Sequence, residues 1–336
     1  MDYLMMDEND TGSSSTPGTA TEELHDERWL IILRFVLVCI GIVLNTGVIV
    51  VFLYIKMYKK SLLHGLIFQQ SFLDLFVCCM FLIFYNQDAP DGTRAGRGFC
   101  KGRALYWFGV IASIYNLVMI TFERYIAVVH PITYRNRNIG GRSNVFYTIP
   151  YIIGVLISFH LVVLSEVNKQ QKSECVMYTK EFGLLSGILL FVFVFFFPVC
   201  FMIFCYCRIV FQIGLRQRSR ENRQHAPGLS RKKYVSVKRN LVFTMLIVVV
   251  AFIITTAPNF ILYLTYAICQ CFDFSAMVKN GITILIGTLN MCVNPIIYGA
   301  KMEDFKNGVR EIWRKLRDAN GESSVVDTSQ NISSTV

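Results

Sequence analysis

The sequence predicts an all-α membrane protein, a seven-transmembrane helix bundle followed by a C-terminal amphipathic helix on the membrane surface. Three observations predict it. Of 336 residues, 54% are hydrophobic and only 17% charged, whereas soluble domains carry about 25% charge. The apolar residues fall into seven blocks, roughly 29–55, 62–86, 101–123, 145–165, 182–207, 240–267 and 280–300, and about 20 residues suffice to cross a bilayer. A polar or charged loop follows each block. In lipid the backbone must satisfy its own polar groups, so blocks of this length are helices.

Residues 1–28 are acidic and rich in Ser, Thr and Gly, a composition expected to stay disordered. Asn9-Asp10-Thr11 within them is a glycosylation acceptor triplet. The acidic first ten residues show no cleavable signal peptide, so the first apolar block is expected to act as the insertion signal. Charge orients the spans. Lys56, Lys59 and Lys60 follow the first, Arg135, Arg137 and Arg142 the third, and a run from Arg216 to Lys233 the fifth. The positive-inside rule puts those loops in the cytoplasm and the N-terminus outside, in a multi-pass protein of the plasma membrane. Arg94, Arg97, Lys101 and Arg103, after the second span, run against the trend. In a soluble protein a net charge of +10 would suggest nucleic acid; here the cations border the membrane, and no nucleic-acid partner is expected.

The domain 29–300 holds the spans, and each contains few polar residues. Asn45 in the first reads as interhelical glue. Asp74 in the second is a functional candidate, because an intramembrane carboxylate is costly to keep. The third ends in Glu123-Arg124-Tyr125, six residues before Pro131. Such charge costs about 2.5–3.5 kcal/mol at a helix centre, which places the pair at the cytoplasmic surface in protein contact. Pro198 and Pro258 kink the fifth and sixth spans. The seventh closes on Asn294-Pro295-Ile296-Ile297-Tyr298, a kink with a polar plug. In 301–317, Met302, Phe305, Val309, Ile312, Trp313 and Leu316 recur at helical spacing between Lys306, Arg310, Arg314 and Arg317. That is an amphipathic helix placed for the anionic lipid of the inner leaflet. Residues 318–336 form a Ser/Thr-rich cytoplasmic tail whose Ser334 and Val336 suit a PDZ domain.

Of eleven cysteines, Cys39, Cys78, Cys79, Cys200, Cys205, Cys207 and Cys292 lie inside apolar spans and read as small packing residues. Cys100 and Cys175 lie in segments expected outside the cell, where disulfides persist, and are expected to pair. Closing that loop contributes about 3–5 kcal/mol in the chain-entropy model. Cys269 and Cys271 are external too; a bridge between them would be strained, and they stay unassigned.

Taken in order, Asn45, Asp74, Cys100, Glu123-Arg124-Tyr125, Cys175, Pro198 with Tyr206, Phe252 with Pro258, Asn294-Pro295-x-x-Tyr298 and Phe305 resemble the rhodopsin-like (class A) G-protein-coupled receptors. The resemblance covers roughly residues 29–317. It implies a receptor that converts binding of an extracellular ligand into heterotrimeric G-protein activation. It implies that Glu123 holds Arg124 at rest, and that Tyr206 and Tyr298 swing toward Arg124 when the sixth helix moves outward. Ile114, Pro198 and Phe252, with Pro258, would form the packing switch between pocket and helix motion. Asp74, Ser113, Asn290 and Asn294 would hold an internal sodium ion that favours the inactive state; apart from Asp74, they suit a water network equally. Receptor kinases and an arrestin would act on the tail.

The departures from the family are informative. Its Cys-Trp-x-Pro switch reads Thr255-Thr256-Ala257-Pro258 here, so the aromatic toggle is missing. The fourth span lacks the usual tryptophan and has Tyr147 and Tyr151 nearby. Lys238 stands where many relatives carry an acid that pairs with Arg124, which predicts raised basal activity. Amine receptors of the family need an aspartate where this chain has Tyr106, and photopigments a lysine where it has Thr288, so no retinal is expected. The pocket would be lined by Phe84, Tyr85, Tyr106, Trp107, Asn259, Phe260, Tyr263 and Ile284. With cations at its rim, an acidic or amidated peptide is the leading ligand and a small chemosensory molecule the second.

No metal cluster, nucleophile–base pair or phosphate loop suggests an enzyme, and no catalytic residue or covalent cofactor is expected. A transporter should show inverted repeats or several membrane charges. A decoy or arrestin-biased receptor without G-protein coupling is the serious rival: Glu-Arg-Tyr and Asn-Pro-x-x-Tyr oppose it, and the missing toggle favours it.

Overall fold

A computed structural model describes residues 17–85, 90, 93–136, 139–167, 175–177, 180–221, 229–269 and 282–333. Asn9, Ser334 and Val336 lie outside them, and at Lys238 and Ile284 only the backbone is described. The helices are α1 (Pro17–Tyr54), α2 (Leu62–Phe84), α3 (Thr93–Val129), α4 (Pro131–Asn136), α5 (Ile139–Leu164), α6 (Lys180–Leu190), α7 (Phe197–Glu221), α8 (Leu229–Cys269), α9 (Ile282–Lys301) and α10 (Glu303–Ser333). A π-helical turn, Phe191–Phe196, joins α6 to α7 as one span.

Among the described residues, six stretches are long and apolar enough to cross a membrane: Trp29–Tyr54, Leu62–Phe84, Arg94–Val129, Asn144–Leu164, Leu184–Arg216 and Val242–Cys269. The shorter α9 packs between α1 and α8 and closes the ring. Its outer faces are apolar, with Val43 and Leu156 each 70% exposed, as lipid contact requires. This is a multi-pass membrane protein. The most buried of the six is α3, which packs on α2, α5 and α7. A core of Ile114, Phe252, Met202, Ile209 and Tyr298 joins it to the fifth, sixth and seventh spans.

Close helix approach rests on small residues. A Cβ added at Gly65 of α2 would lie 2.0 Å from the Tyr147 hydroxyl of α5. Beside it Gln69 Nε2 donates to the Tyr147 carbonyl (3.0 Å), so a small residue and an amide make the α2–α5 seam.

The π turn has a local cause. The Phe197 N–H bonds to the Val192 carbonyl, five residues back. The next residue, Pro198, has no N–H to continue that pattern to Phe193. Tyr115 of α3 donates its hydroxyl to the stranded Phe193 carbonyl (2.7 Å) instead.

Helices outrun the apolar blocks. The third runs Thr93–Val129 rather than 101–123, and the sixth Leu229–Cys269 rather than 240–267. Helical backbone reaches back to Pro17, inside the segment assigned to disorder, and forward to Ser333, past the expected amphipathic boundary at 317. Hydropathy marks the lipid boundary, whereas the hydrogen-bonded backbone continues into water where side chains are good helix formers. A two-stranded antiparallel hairpin, Ser165–Val167 with Cys175–Met177, follows the fourth span and was not foreseen.

Candidate functional site

Two polar constellations lie along α3, about 36 Å below and about 20 Å below its Cys100 by helical rise. Cys100 is bonded to Cys175 as expected, with 5.4 Å between their Cα atoms. That bond ties the hairpin to the first turns of α3 and defines the disulfide end of the bundle. Cys269, at the last turn of α8, is also disulfide-bonded.

At the opposite end, Glu123 and Arg124 are adjacent on α3, which continues beyond them to Val129. Arg124 Nε donates to Glu123 Oε2, and Arg124 Nη2 donates to Oε1 (2.6 Å). The pair is bidentate, the geometry in which a guanidinium binds a carboxylate best. A third donor was missed by the sequence reading: the Tyr134 hydroxyl gives its hydrogen to Glu123 Oε1 (2.7 Å). Pro131 starts α4 in the position where a proline fits a helix, and α4 carries Tyr134 back onto Glu123. Burial, followed by the neighbouring Glu123 carboxylate, raises the Tyr134 hydroxyl above its ordinary pKa, so it stays a donor. Glu123 is 1% exposed. Tyr125 points elsewhere, its ring stacked on Phe122 (6.4 Å). Tyr206 and Tyr298 are both buried in the same core, and the Tyr298 hydroxyl has no hydrogen-bond partner among the described residues.

Midway along the bundle lies Asp74, 2% exposed. Its Oδ1 accepts from Ser113 Oγ (2.6 Å) and Gln70 Nε2 (2.9 Å), and its Oδ2 accepts from Asn294 Nδ2 (2.9 Å). Ser113 and Asn294 thus both contact Asp74. Asn290 is held by α8 instead, its Oδ1 accepting from Thr255 Oγ1 (3.3 Å). Gln70 is the unforeseen member. A hard cation needs oxygens turned toward it. Here Gln70 Nε2 lies 2.5 Å from Ser113 Oγ as well as 2.9 Å from Asp74 Oδ1, which is the place a cation shared by those two oxygens would take. As arranged, the group does not fit the ion.

Of the residues expected to form a packing switch, Ile114 and Phe252 are both buried in one cluster, and Pro198 is buried beside the π turn. Pro258 sits inside α8. Where the aromatic toggle is missing, Thr256 Oγ1 returns to the Phe252 carbonyl (2.5 Å), and Thr255 joins α8 to α9 through Asn290.

Toward the disulfide end, the predicted pocket residues form two groups. Tyr85, Tyr106 and Trp107 pack together, with ring centroids 4.7 and 5.8 Å apart. Arg103 lies over the Tyr85 ring (5.1 Å) and donates from Nε to the Phe84 carbonyl (3.1 Å). On α8, Phe260 stacks on Phe195 (5.7 Å), while Asn259 and Tyr263 are half-buried nearby.

Residues 44–298 match the model of the 7 transmembrane receptor (rhodopsin family). The chain belongs to that family. It is similar to the histamine H2 receptor of Homo sapiens, 28% identical over 211 residues, which are 60% of this chain and 56% of that receptor. Dopamine receptor 3 of Caenorhabditis briggsae is 31% identical over 186 residues, 54% of this chain and 30% of that protein. Somatostatin receptor type 1 of Rattus norvegicus is 26% identical over 219 residues, 60% and 50% of the two chains. Matches therefore span about half or less of those receptors' lengths. Membership in a receptor family agrees with the buried motifs at both ends of α3.

Proposed function

We propose that this rhodopsin-family receptor binds an extracellular ligand at its disulfide end and activates a heterotrimeric G protein at its Arg124 end. One observation carries the reading. Arg124 is clamped by its own neighbour Glu123, whose carboxylate is held in turn by Tyr134, so the cation is sequestered yet releasable. Such an element has two states, and a ligand shifts it by as much as it prefers one of them. The N-terminus and disulfide end would face outward, with α10 on the inner leaflet. There Trp313 (71% exposed) and Leu316 would meet lipid, and receptor kinases and arrestin would use the tail beyond.

For the ligand, the relatives are named for histamine, dopamine and somatostatin. Tyr106 replaces the amine-binding aspartate and is packed against Tyr85 and Trp107, which disfavours a cationic amine. Arg94, Arg97 and Lys101 are exposed on the first turns of α3. Their charge favours an acidic or amidated peptide, ahead of a small chemosensory molecule.

The test is ligand-free G-protein dissociation in cells across the major Gα classes, for wild type and Arg124→Ala at matched surface expression. Basal dissociation that disappears in Arg124→Ala supports coupling and names the G protein. No dissociation in either favours the decoy or arrestin-biased reading, for which Thr256 in place of the toggle is the specific support.

A further inference from the structure

We infer that Gln70 is a built-in substitute for the cation at the Asp74 hub, so that this receptor's resting bundle is stabilised by its own amide and not by bound sodium. The inference concerns the stability of the bundle and stands apart from whether it couples to a G protein.

Which end of each amide faces which neighbour is fixed from one terminus of the network. The Leu66 backbone carbonyl can only accept. Asn116 Nδ2 lies 2.9 Å from it, so the Asn116 group at that point is the NH2. The same nitrogen is 2.9 Å from the other side-chain amide, so the Gln70 atom facing it is the carbonyl Oε1. Gln70 must then turn its NH2 the other way, toward Asp74 Oδ1 (2.9 Å) and Ser113 Oγ (2.5 Å). Ser113 has a single hydroxyl hydrogen and gives it to Asp74 Oδ1 (2.6 Å), which leaves its lone pairs for Gln70. With Asp74 ionised, donors and acceptors then alternate along Leu66–Asn116–Gln70–Ser113–Asp74.

Two consequences follow. One amide nitrogen bridges the carboxylate and the hydroxyl, occupying the position in which a monovalent cation would touch both. Rotating Gln70 to offer its oxygen to a cation would present its NH2 to the Asn116 NH2, a repulsive contact at a fully buried site. Gln70 and Asn116 are each 0% exposed, so water cannot repair the mismatch. The carboxylate accepts from Gln70, Ser113 and Asn294 together, so its charge is met by neutral donors.

The experiment is thermal unfolding of the purified full chain in detergent, in sodium chloride or in N-methyl-D-glucamine chloride at equal ionic strength. Wild type is expected to unfold at the same temperature in both. Gln70→Leu opens the bridging position and should acquire a saturable, sodium-specific rise of about 2 °C at tenfold excess over the ion's dissociation constant. Asp74→Asn placed on top should remove that rise. Where Gln70→Leu does not fold, Gln70→Met, closer in shape, takes its place. A sodium-specific rise in wild type that Asp74→Asn abolishes would overturn the inference. So would a sodium-insensitive Gln70 variant, since closure would then not depend on Gln70.

Discussion

At the scale of single residues, the two hubs on α3 depend on donors that no motif names. Asp74 announces itself because a carboxylate is rare in an apolar span, and Cys100 with Cys175 because their compartment sets them apart. Gln70, Asn116 and Tyr134 carry no such mark alone. Gln70 could have been found from its place one helical turn before Asp74, since residues four apart share a face. Tyr134 could not, because its contact depends on how α4 folds back after Pro131. Tyr134→Phe should remove one hydrogen bond to a buried charge, worth about 1.5–3 kcal/mol when lost. The Glu123–Arg124 clamp would then open more readily, and ligand-free G-protein dissociation should rise several-fold at matched surface expression. Unchanged basal signal would mean that Tyr134 serves packing and not the clamp. A second residue-scale expectation concerns Tyr115. Tyr115→Phe leaves the Phe193 carbonyl beside Pro198 unpaired, so the unfolding midpoint should fall by a few degrees. A midpoint equal to wild type would show that the π turn does not need that hydroxyl.

At the scale of elements, hydropathy located every span but misplaced most of its ends. The run Arg94–Arg103 was assigned to a loop, yet it forms the first turns of α3. Cationic side chains signal water, and water tolerates a helix whose backbone is already bonded internally. The π turn was invisible for a different reason: Pro198 announces a kink, but whether it is relieved by a bend or by an inserted residue depends on Tyr115 from another helix. The seam between α2 and α5 shows the same dependence. Gly65 looks like any glycine in the sequence, and only the Tyr147 hydroxyl on its Cα explains it. Gly65→Ala should therefore push α5 away and lower the unfolding midpoint, by roughly 1–3 kcal/mol of overpacking. Tyr147→Leu should recover part of the loss when combined with Gly65→Ala, because the clashing ring is removed. Additive losses in the double variant would mean that the two residues do not share one contact.

At the scale of the whole molecule, the question is what holds the sixth span against the third when, among the described residues, the counter-charge of Arg124 comes from Glu123. Arg124 is already neutralised by a buried bidentate partner, so a basic residue on α8 adds no attraction between the third and sixth spans. Lys238, on the α8 backbone, instead brings a positive charge to the sixth span, and like charges on the third and sixth spans repel. Two unit charges about 4 Å apart interact by about 4 kcal/mol at an effective dielectric of 20, but exposed pairs near water retain about 0–1 kcal/mol. The smaller figure governs a helix end beyond the apolar part of its span, and it corresponds to at most about a fivefold change in an equilibrium. Lys238→Glu replaces repulsion by attraction, so it should favour the closed state and lower ligand-free G-protein dissociation by roughly two- to fivefold. Lys238→Gln, which only removes the charge, should fall between it and wild type. Arg124→Ala should abolish the signal in all three backgrounds, which separates a change in the resting equilibrium from a loss of the coupling surface. If Lys238→Glu leaves the basal signal intact while Arg124→Ala still removes it, the closed state is set by packing around Phe252 and Tyr298, and the charge at Lys238 has no part in it.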